Sequence, residues 1–293
     1  NEDASNKERK IHNKKIIKIG GVSFISIIIT SFYTVDEVVL SSIYVACLFL
    51  VIGLVADLNE KFSSYTRLLI SSILGCYYIF ITDASIYSIN IHLIDNYILI
   101  VPLFSFLFTL MCILFLVNGF NIIDGNNGLM LGVTLIIIIN LFLHVEFDEK
   151  TDSAVILLIN NLMYLVIILG LLNLVSGRII SGDAGSYFLG FLIASIILMI
   201  FKSNMIDALL VANILFYPVI EMVVSFFRRI FIFKKHPLYP DALHMHSILY
   251  KILKYNGAFG LVRNFDMINS ITSLIIMANL TLIYIVIYYN ILT

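Results

Sequence analysis

The chain alternates between long apolar runs and short polar islands. A membrane-spanning helix needs about 20 mostly apolar residues, and by that measure the runs predict about nine spans. They lie near residues 21–35, 38–56, 66–82, 97–117, 129–147, 153–175, 185–201, 207–233 and 268–291. Because backbone groups in lipid must bond to one another, these Ile- and Val-rich runs are expected to be helices rather than strands. The pattern therefore predicts an all-α, polytopic membrane bundle that forms a single domain over residues 1–293.

Composition agrees with a membrane location. Hydrophobic residues make up 60% of the chain and charged residues 13%, and the mean hydropathy is +1.02, so there is too little charge for a soluble domain. The net charge of −1 does not indicate a partner, and we expect the lipid bilayer, and no nucleic acid, around the protein. Since the chain does not begin with Met, a further span upstream is expected, for a total of roughly ten or more.

All the polar islands are predicted on one side of the membrane. They are Asp57–Lys61, Asn118–Gly128, Gly182–Ser186 and Pro240–His246. Counting the apolar runs between them gives this result, and the charges agree with it. Lys and Arg crowd the segments on the island side, which include residues 1–20 and 234–265, whereas acidic residues dominate the opposite loops. The positive-inside rule makes the island side cytoplasmic.

Two islands place a carboxylate among small residues, directly before an apolar helix. Asp124 precedes Gly125, and Asp183 lies between Gly182 and Gly185. A helix start offers free N–H groups that suit phosphate, and Mg²⁺ favours one or two carboxylates plus substrate phosphates. Ordinary helix capping is the alternative for each island alone. The pairing of the islands, and the cost of polar groups at membrane depth, favour a functional site.

Three other charged residues are ambiguous on their own. Asp57 ends the second run and is read most simply as a solvated carboxylate. Arg67 is either a phosphate ligand or an interfacial anchor. Glu221, inside an apolar run, is either a buried charge with a role or a residue near the membrane interface.

The fourth island carries two histidines, His244 and His246, close to Asp241. A zinc site needs three or four ligands, and apart from His236, earlier in the same segment, the neighbouring sequence supplies no cysteine and no further histidine. Contact with phosphate or sugar is therefore favoured over a structural metal.

The order of the islands resembles the polyprenyl-phosphate N-acetylhexosamine-1-phosphate transferase family. That family shows a basic segment ending in Gly-Gly, an Asp pair, an NxxNxxDGxDGL loop, a GDxGSxxLGF turn and a PDxxHxHH loop. The corresponding segments here are residues 9–21, 56–57, 118–129, 182–191 and 240–247, which extend over nearly the whole chain. Three positions depart from the pattern, namely Ala56, Asn127 and Ser247.

The resemblance implies that a UDP-activated N-acetyl-amino sugar 1-phosphate is transferred to undecaprenyl phosphate, with release of UMP. The reaction would begin a cell-surface glycan at the cytoplasmic membrane of a bacterium. It implies Mg²⁺, or Mn²⁺ in its place, at Asp183. The residues assigned to catalysis are Asp57, Asp124, His244 and His246, and those assigned to substrate binding are Asn118, Asn121, Asn127, Arg67, Asp241 and Arg228. A homodimer is left open.

Two alternatives accompany this hypothesis. The three departures mark either an active branch of the family with its own sugar or an inactive paralogue that serves as an assembly subunit. A transporter of a lipid-linked or anionic solute is the alternative from another class. Against it, the polar residues lie at one face of the membrane, whereas transporter sites usually lie near the midplane.

Overall fold

The computed structural model describes residues 20–31, 33–59, 61–147, 152–177, 181–203, 205–239, 241–255 and 265–292. Most of the basic segment 1–20, together with Pro240 and residues 256–264 of the predicted segment 234–265, lies outside these ranges. The described chain is helical and contains no strand, which confirms the all-α prediction. Its α-helices are α1 (Ile28–Ser31), α2 (Glu37–Leu58), α3 (Ser64–Thr82), α4 (His92–Ile100), α5 (Pro102–Ile123), α6 (Leu129–His144), α7 (Ser153–Ser176), α8 (Gly182–Lys202), α9 (Ala208–Ile214), α10 (Phe216–Phe227), α11 (Met245–Tyr255) and α12 (Phe265–Leu292).

The predicted spans all fall on helical segments, but these differ in length. Among the described residues, six helices are long and apolar enough to cross a membrane, namely α2, α3, α5, α7, α8 and α12. The bent pair α9 and α10 makes a seventh if it counts as one span. The first predicted span is a short 3₁₀ stretch, Gly20–Ile27, that continues into α1, and α6 has 16 residues. The run predicted at 97–117 is divided, because Pro102 begins a new helix after α4.

Helix α8 is the buried centre of the bundle, with 89% of its most apolar stretch inside the protein. It packs most extensively against α2 and α5. Glycines permit the close approach: a Cβ at Gly53 of α2 would lie 2.1 Å from the main-chain oxygen of Asp183, and one at Gly190 would lie 2.7 Å from the Cα of Val117 on α5. Small residues of this kind let helices pack closely in lipid. The start of α8 is therefore fixed against the end of α2.

Helix α10 continues into a π-helical turn, Arg228–Ile232, and α9 meets this combined segment, Phe216–Ile232, at an angle of 79°. Pro218, in the first turn of α10, has no N–H to donate to the carbonyl of Ile214 four residues earlier. The hydroxyl of Tyr284 on α12 donates to that carbonyl instead, at 2.9 Å. The bend is thus stabilised from α12, and α10 continues from it toward the histidine segment, residues 241–246.

The outward surface of the described helices is apolar. Phe80, Val175 and Leu209 expose 83, 85 and 77% of their surface. Large exposed apolar areas are a liability in water but suit contact with lipid tails. Together with the long apolar helices, they identify a multi-pass membrane protein.

Candidate functional site

Helix ends converge around the first turn of α8. Asp57, in the last turn of α2, accepts a hydrogen bond at Oδ2 from the N–H of Ala184, at 3.1 Å. Gly182 adopts a φ of +67°, and a Cβ there would lie 2.6 Å from the same Oδ2. Asp57 therefore satisfies one of the free N–H groups at the start of α8. The sequence predicted a turn at Gly182–Ser186, before the start of the helix. In the structure α8 begins at Gly182, so these residues form the first turn of the helix itself, and that prediction was wrong.

The carboxylate of Asp183 is held by two neighbours. Arg67, on α3, donates from Nη1 to Oδ2 at 2.6 Å, and Asn121, on α5, donates from Nδ2 to Oδ1 at 2.8 Å. Arg67 also donates to Ser64 Oγ at 3.0 Å, and Asn121 to Ser186 Oγ at 3.0 Å. The side chains of Arg67 and Asp183 remain 20 and 30% exposed. We call Asp57, Arg67, Asn121 and Asp183 the carboxylate cluster.

The island 118–128 is divided between a helix and a loop. Helix α5 continues to Ile123, so Asn118 and Asn121 lie on its last turns rather than in the predicted loop. Polar residues at the end of a helix do not interrupt it when their backbone groups stay paired. The side-chain Nδ2 of Asn118 donates to the carbonyl of Leu114, one turn earlier, at 2.7 Å. Asp124 is the residue that follows the last helical residue, Ile123, and it is half-buried. It lies three residues after Asn121 of the carboxylate cluster.

The loop 124–128 is anchored to the helices behind it. Asn127 is 1% exposed, its N–H donates to Asn269 Oδ1 at 3.2 Å, and its amide donates to Ser270 Oγ at 3.3 Å. The N–H of Gly128 donates to Asn173 Oδ1 at 2.8 Å. These bonds join the loop to α7 and α12. The assignment of Asn127 to substrate binding stays a prediction, and its contacts with α12 do not favour it.

A second group of polar residues, the histidine cluster, joins α10 to α11. Glu221 is 6% exposed and accepts a hydrogen bond at Oε1 from the N–H of Met245, at 2.9 Å. Its Oε2 lies 3.4 Å from Nδ1 of His244, and Ser225 Oγ lies 3.2 Å from the same nitrogen. Glu221 and Ser225 thus hold one edge of the His244 ring.

Arg228 extends the histidine cluster to Asp241. Its Nε donates to Asp241 Oδ2 at 2.8 Å, its Nη2 donates to the same oxygen, and Nη2 also reaches Ser225 Oγ at 3.2 Å. Burial opposes ionisation of Asp241, but the hydrogen bonds from Arg228 and from the N–H of Leu243 outweigh it, so the pKa of Asp241 is lowered. Asp241 is therefore an ionised anchor of the loop.

His246 connects the histidine cluster to the loop 124–128. Its ring stacks on that of His244, with centroids 5.6 Å apart, and its Nε2 lies 2.3 Å from where a Cβ at Gly125 would be. Burial, aided by the nearby His244 and partly offset by Glu221, lowers the pKa of His246 to about 4. His246 is therefore neutral near pH 7 and packs against the backbone beside Asp124.

A groove of about 700 Å³ runs beside the histidine cluster, between α10, α11 and α12. Most of its lining residues are apolar, for example Ile248 on α11 and Ile276 on α12. Its polar lining residues are Tyr217, Glu221, Arg228 and Asn279. The groove therefore combines a large apolar surface with two charged residues of the site.

A divalent cation at the carboxylate cluster would have Asp183 as its protein ligand and would take its other ligands from water or from a phosphate-bearing substrate. Within the described part of the chain, no group of three or more His, Cys, Asp or Glu residues could hold a metal. Mg²⁺ is commonly bound by one or two carboxylates and substrate phosphates, with water in the remaining positions. Asp183 satisfies that requirement if a phosphate-bearing substrate supplies the other ligands.

Sequence reasoning left Glu221 undecided and did not consider Ser225. Their spacing carries the missing signal. Glu221, Ser225 and Arg228 follow one another at intervals of four and three residues, which places them on one face of a helix. A polar stripe on an otherwise apolar helix indicates that another segment of the chain bonds to these side chains, and here that segment is the histidine segment.

Comparison with known proteins identifies the family. Residues 39–201, more than half of the chain, match the sequence model of glycosyl transferase family 4. The undecaprenyl-phosphate alpha-N-acetylglucosaminyl 1-phosphate transferase of Escherichia coli K12 is 26% identical over 251 residues, 82% of this chain and 67% of that protein. The protein of the same name from Thermotoga maritima is 28% identical over 245 residues, 82% of this chain and 70% of its own length. This chain belongs to glycosyl transferase family 4.

Proposed function

We propose that this protein transfers an N-acetyl-amino sugar 1-phosphate from a UDP-sugar to undecaprenyl phosphate and releases UMP. The transfer takes place at the cytoplasmic face of a bacterial membrane and begins a cell-surface glycan. The names of the relatives support the lipid acceptor and the transferred group. The observation that carries the proposal is the carboxylate cluster, where Arg67 and Asp183 meet at membrane-helix ends and remain accessible.

The carboxylate cluster is the proposed site of the donor diphosphate. Asp183 would hold Mg²⁺ or Mn²⁺ together with the donor phosphates, and the bound ion would neutralise charge that develops on the leaving UMP. Arg67 contributes a guanidinium, whose fork of N–H donors matches phosphate oxygens. Asn121 and Asp57 keep the first turn of α8 in place through their bonds to Asp183 and Ala184.

The apolar groove is the proposed site of the polyprenyl chain. Its lining suits a hydrocarbon, while Arg228 offers a positive charge for the acceptor phosphate. The second pKa of a phosphate monoester is near 6, so the acceptor is mostly dianionic at neutral pH. Its oxygen forms a bond to the β-phosphorus of the donor as the bond from that phosphorus to UMP breaks. No protein base is required, which agrees with Ala56 in place of an aspartate.

The histidine cluster is proposed to orient the two substrates. The described partners of His244 lie at Nδ1, so Nε2 is the nitrogen left for a ligand. His246 is neutral near pH 7 because of burial, and its contact with Gly125 supports the loop that holds Asp124.

The test is a reaction with purified protein, undecaprenyl phosphate and a panel of UDP-sugars, with UMP release as the readout. We expect release that requires both the lipid and Mg²⁺, and that UDP-N-acetylglucosamine supports. Asp183→Asn keeps the shape of the side chain and removes its charge, so it should lower the rate by about 100-fold or more. Equal UMP release in the presence of EDTA would rule out the metal, and no release with any sugar would rule out the function.

A further inference from the structure

In the described part of the chain, α3 and α8 are joined by an ion pair near each end. At one end Arg67 of α3 contacts Asp183 of α8, with Nη1 and Oδ2 2.6 Å apart. At the other end Lys202 of α8 contacts Asp83 at the end of α3, with Nζ and Oδ2 3.4 Å apart. Only the first pair lies in the carboxylate cluster, so the two pairs offer a natural comparison.

Both carboxylate oxygens of Asp183 carry a hydrogen bond. Arg67 donates to Oδ2 and Asn121 donates to Oδ1. Arg67 brings a full positive charge into direct contact with the carboxylate. Like charges repel strongly over such short distances in a partly buried site. A divalent cation and the Arg67 guanidinium therefore compete for the same carboxylate.

A donor diphosphate removes this competition. The guanidinium binds phosphate oxygens in a bidentate manner that a single carboxylate oxygen does not offer. The Arg67 side chain is 20% exposed, so the donor can reach it. Once the guanidinium turns to the diphosphate, the Oδ2 atom of Asp183 is available to a cation, and the donor phosphates supply its other ligands.

We propose that Arg67 is the resident counter-ion of Asp183 and that it makes the binding of donor and divalent cation cooperative. This inference rests on the proposed function, since it takes Asp183 as the cation's ligand. Linkage requires the donor to strengthen cation binding by the same factor as the cation strengthens donor binding. Couplings between sites are typically about 5- to 150-fold.

The experiment measures binding of Mn²⁺ to the full chain in nanodiscs by electron paramagnetic resonance, without the lipid acceptor so that no turnover occurs. In the wild-type protein, UDP-N-acetylglucosamine should tighten Mn²⁺ binding by about tenfold or more. Arg67→Met removes the charge and keeps the length of the side chain. It should tighten donor-free Mn²⁺ binding by about 5- to 150-fold and reduce the effect of the donor. Arg67→Lys keeps the charge and should bind donor-free Mn²⁺ as weakly as the wild type.

Lys202→Met is the matched control, because it removes the cation of the other α3–α8 pair, and it should leave Mn²⁺ binding unchanged. Donor-free Mn²⁺ binding by Arg67→Met that is no tighter than in the wild type would overturn the proposal. If Arg67→Met does not fold, equal Mn²⁺ affinity of the wild type with and without donor overturns it. Mn²⁺ binding that persists in Asp183→Asn would instead refute the metal assignment, and UMP release measured in parallel tests the function separately.

Discussion

Glu221→Gln tests how the histidine cluster works. The glutamine oxygen can still accept the N–H of Met245, but its amide presents a donor to Nδ1 of His244 where the carboxylate presented an acceptor. The carboxylate favours the Nδ1–H tautomer, which leaves Nε2 as an acceptor, and in Glu221→Gln that tautomer loses its charged partner. A hydrogen bond to a charged group contributes about 1.5–3 kcal/mol, and about 1.4 kcal/mol corresponds to a tenfold change in rate. We therefore expect kcat/KM for UMP release to fall by about 10- to 150-fold.

Ser225→Ala is the control for Glu221→Gln, because it removes the other partner of the same ring nitrogen without changing charge. A neutral hydrogen bond contributes about 1 kcal/mol, so the loss should be about fivefold. Both variants should be checked for unchanged melting temperature. A smaller loss in Glu221→Gln than in Ser225→Ala would refute the assignment of Glu221 as the group that positions His244.

Three further predictions concern other residues of the site. Ala56→Asp should leave the rate of UMP release within about tenfold, because a dianionic acceptor needs no base, whereas a general base typically gives about 10²- to 10⁴-fold; a hundredfold rise would favour the inactive-paralogue hypothesis. Asn127→Asp places a buried charge where an amide now donates to Ser270, and it should lower the melting temperature more than Asn127→Ala does; the reverse order would contradict this. His246 has a folded-state pKa of about 4 against 6.5 for an unperturbed histidine, so its contribution to stability is complete above pH 6.5 and is lost as the pH falls toward 4. The loss is about 3 kcal/mol, and unfolding curves of His246→Gln across this range should show a smaller decline than the wild type.

The helices were predictable because lipid leaves few choices for an apolar run. Hydropathy located the long apolar helices, but not α11, which lies outside every predicted run. It also could not show that the run at 207–233 is bent, since an apolar run looks the same whether straight or broken. The bend depends on Pro218 and on a hydroxyl from α12, more than 60 residues away. Hydropathy also ended α5 too early, because it treats Asn118 and Asn121 as the end of a span although their backbone continues the helix.

The carboxylate cluster was predictable in its members but not in its contacts. Island order and parity put Asp57, Arg67 and Asp183 on one side of the membrane, and the structure brings them to the same helix ends. That Arg67 binds Asp183, or that Asp57 caps α8, depends on helix rotations that sequence spacing does not give. Asn127 was assigned to substrate binding from its position in a motif. That position could not reveal that its amide packs against α12.

The central claim is that the protein moves a sugar together with its phosphate. UDP-N-acetylglucosamine labelled at the β-phosphorus, incubated with undecaprenyl phosphate, Mg²⁺ and the purified protein, tests it most directly. We predict that the label appears in the lipid product while unlabelled UMP is released, and that Asp183→Asn slows the transfer by about 100-fold or more. Label recovered in free UDP, with an unlabelled sugar on the lipid, would show transfer of the sugar alone and contradict the account.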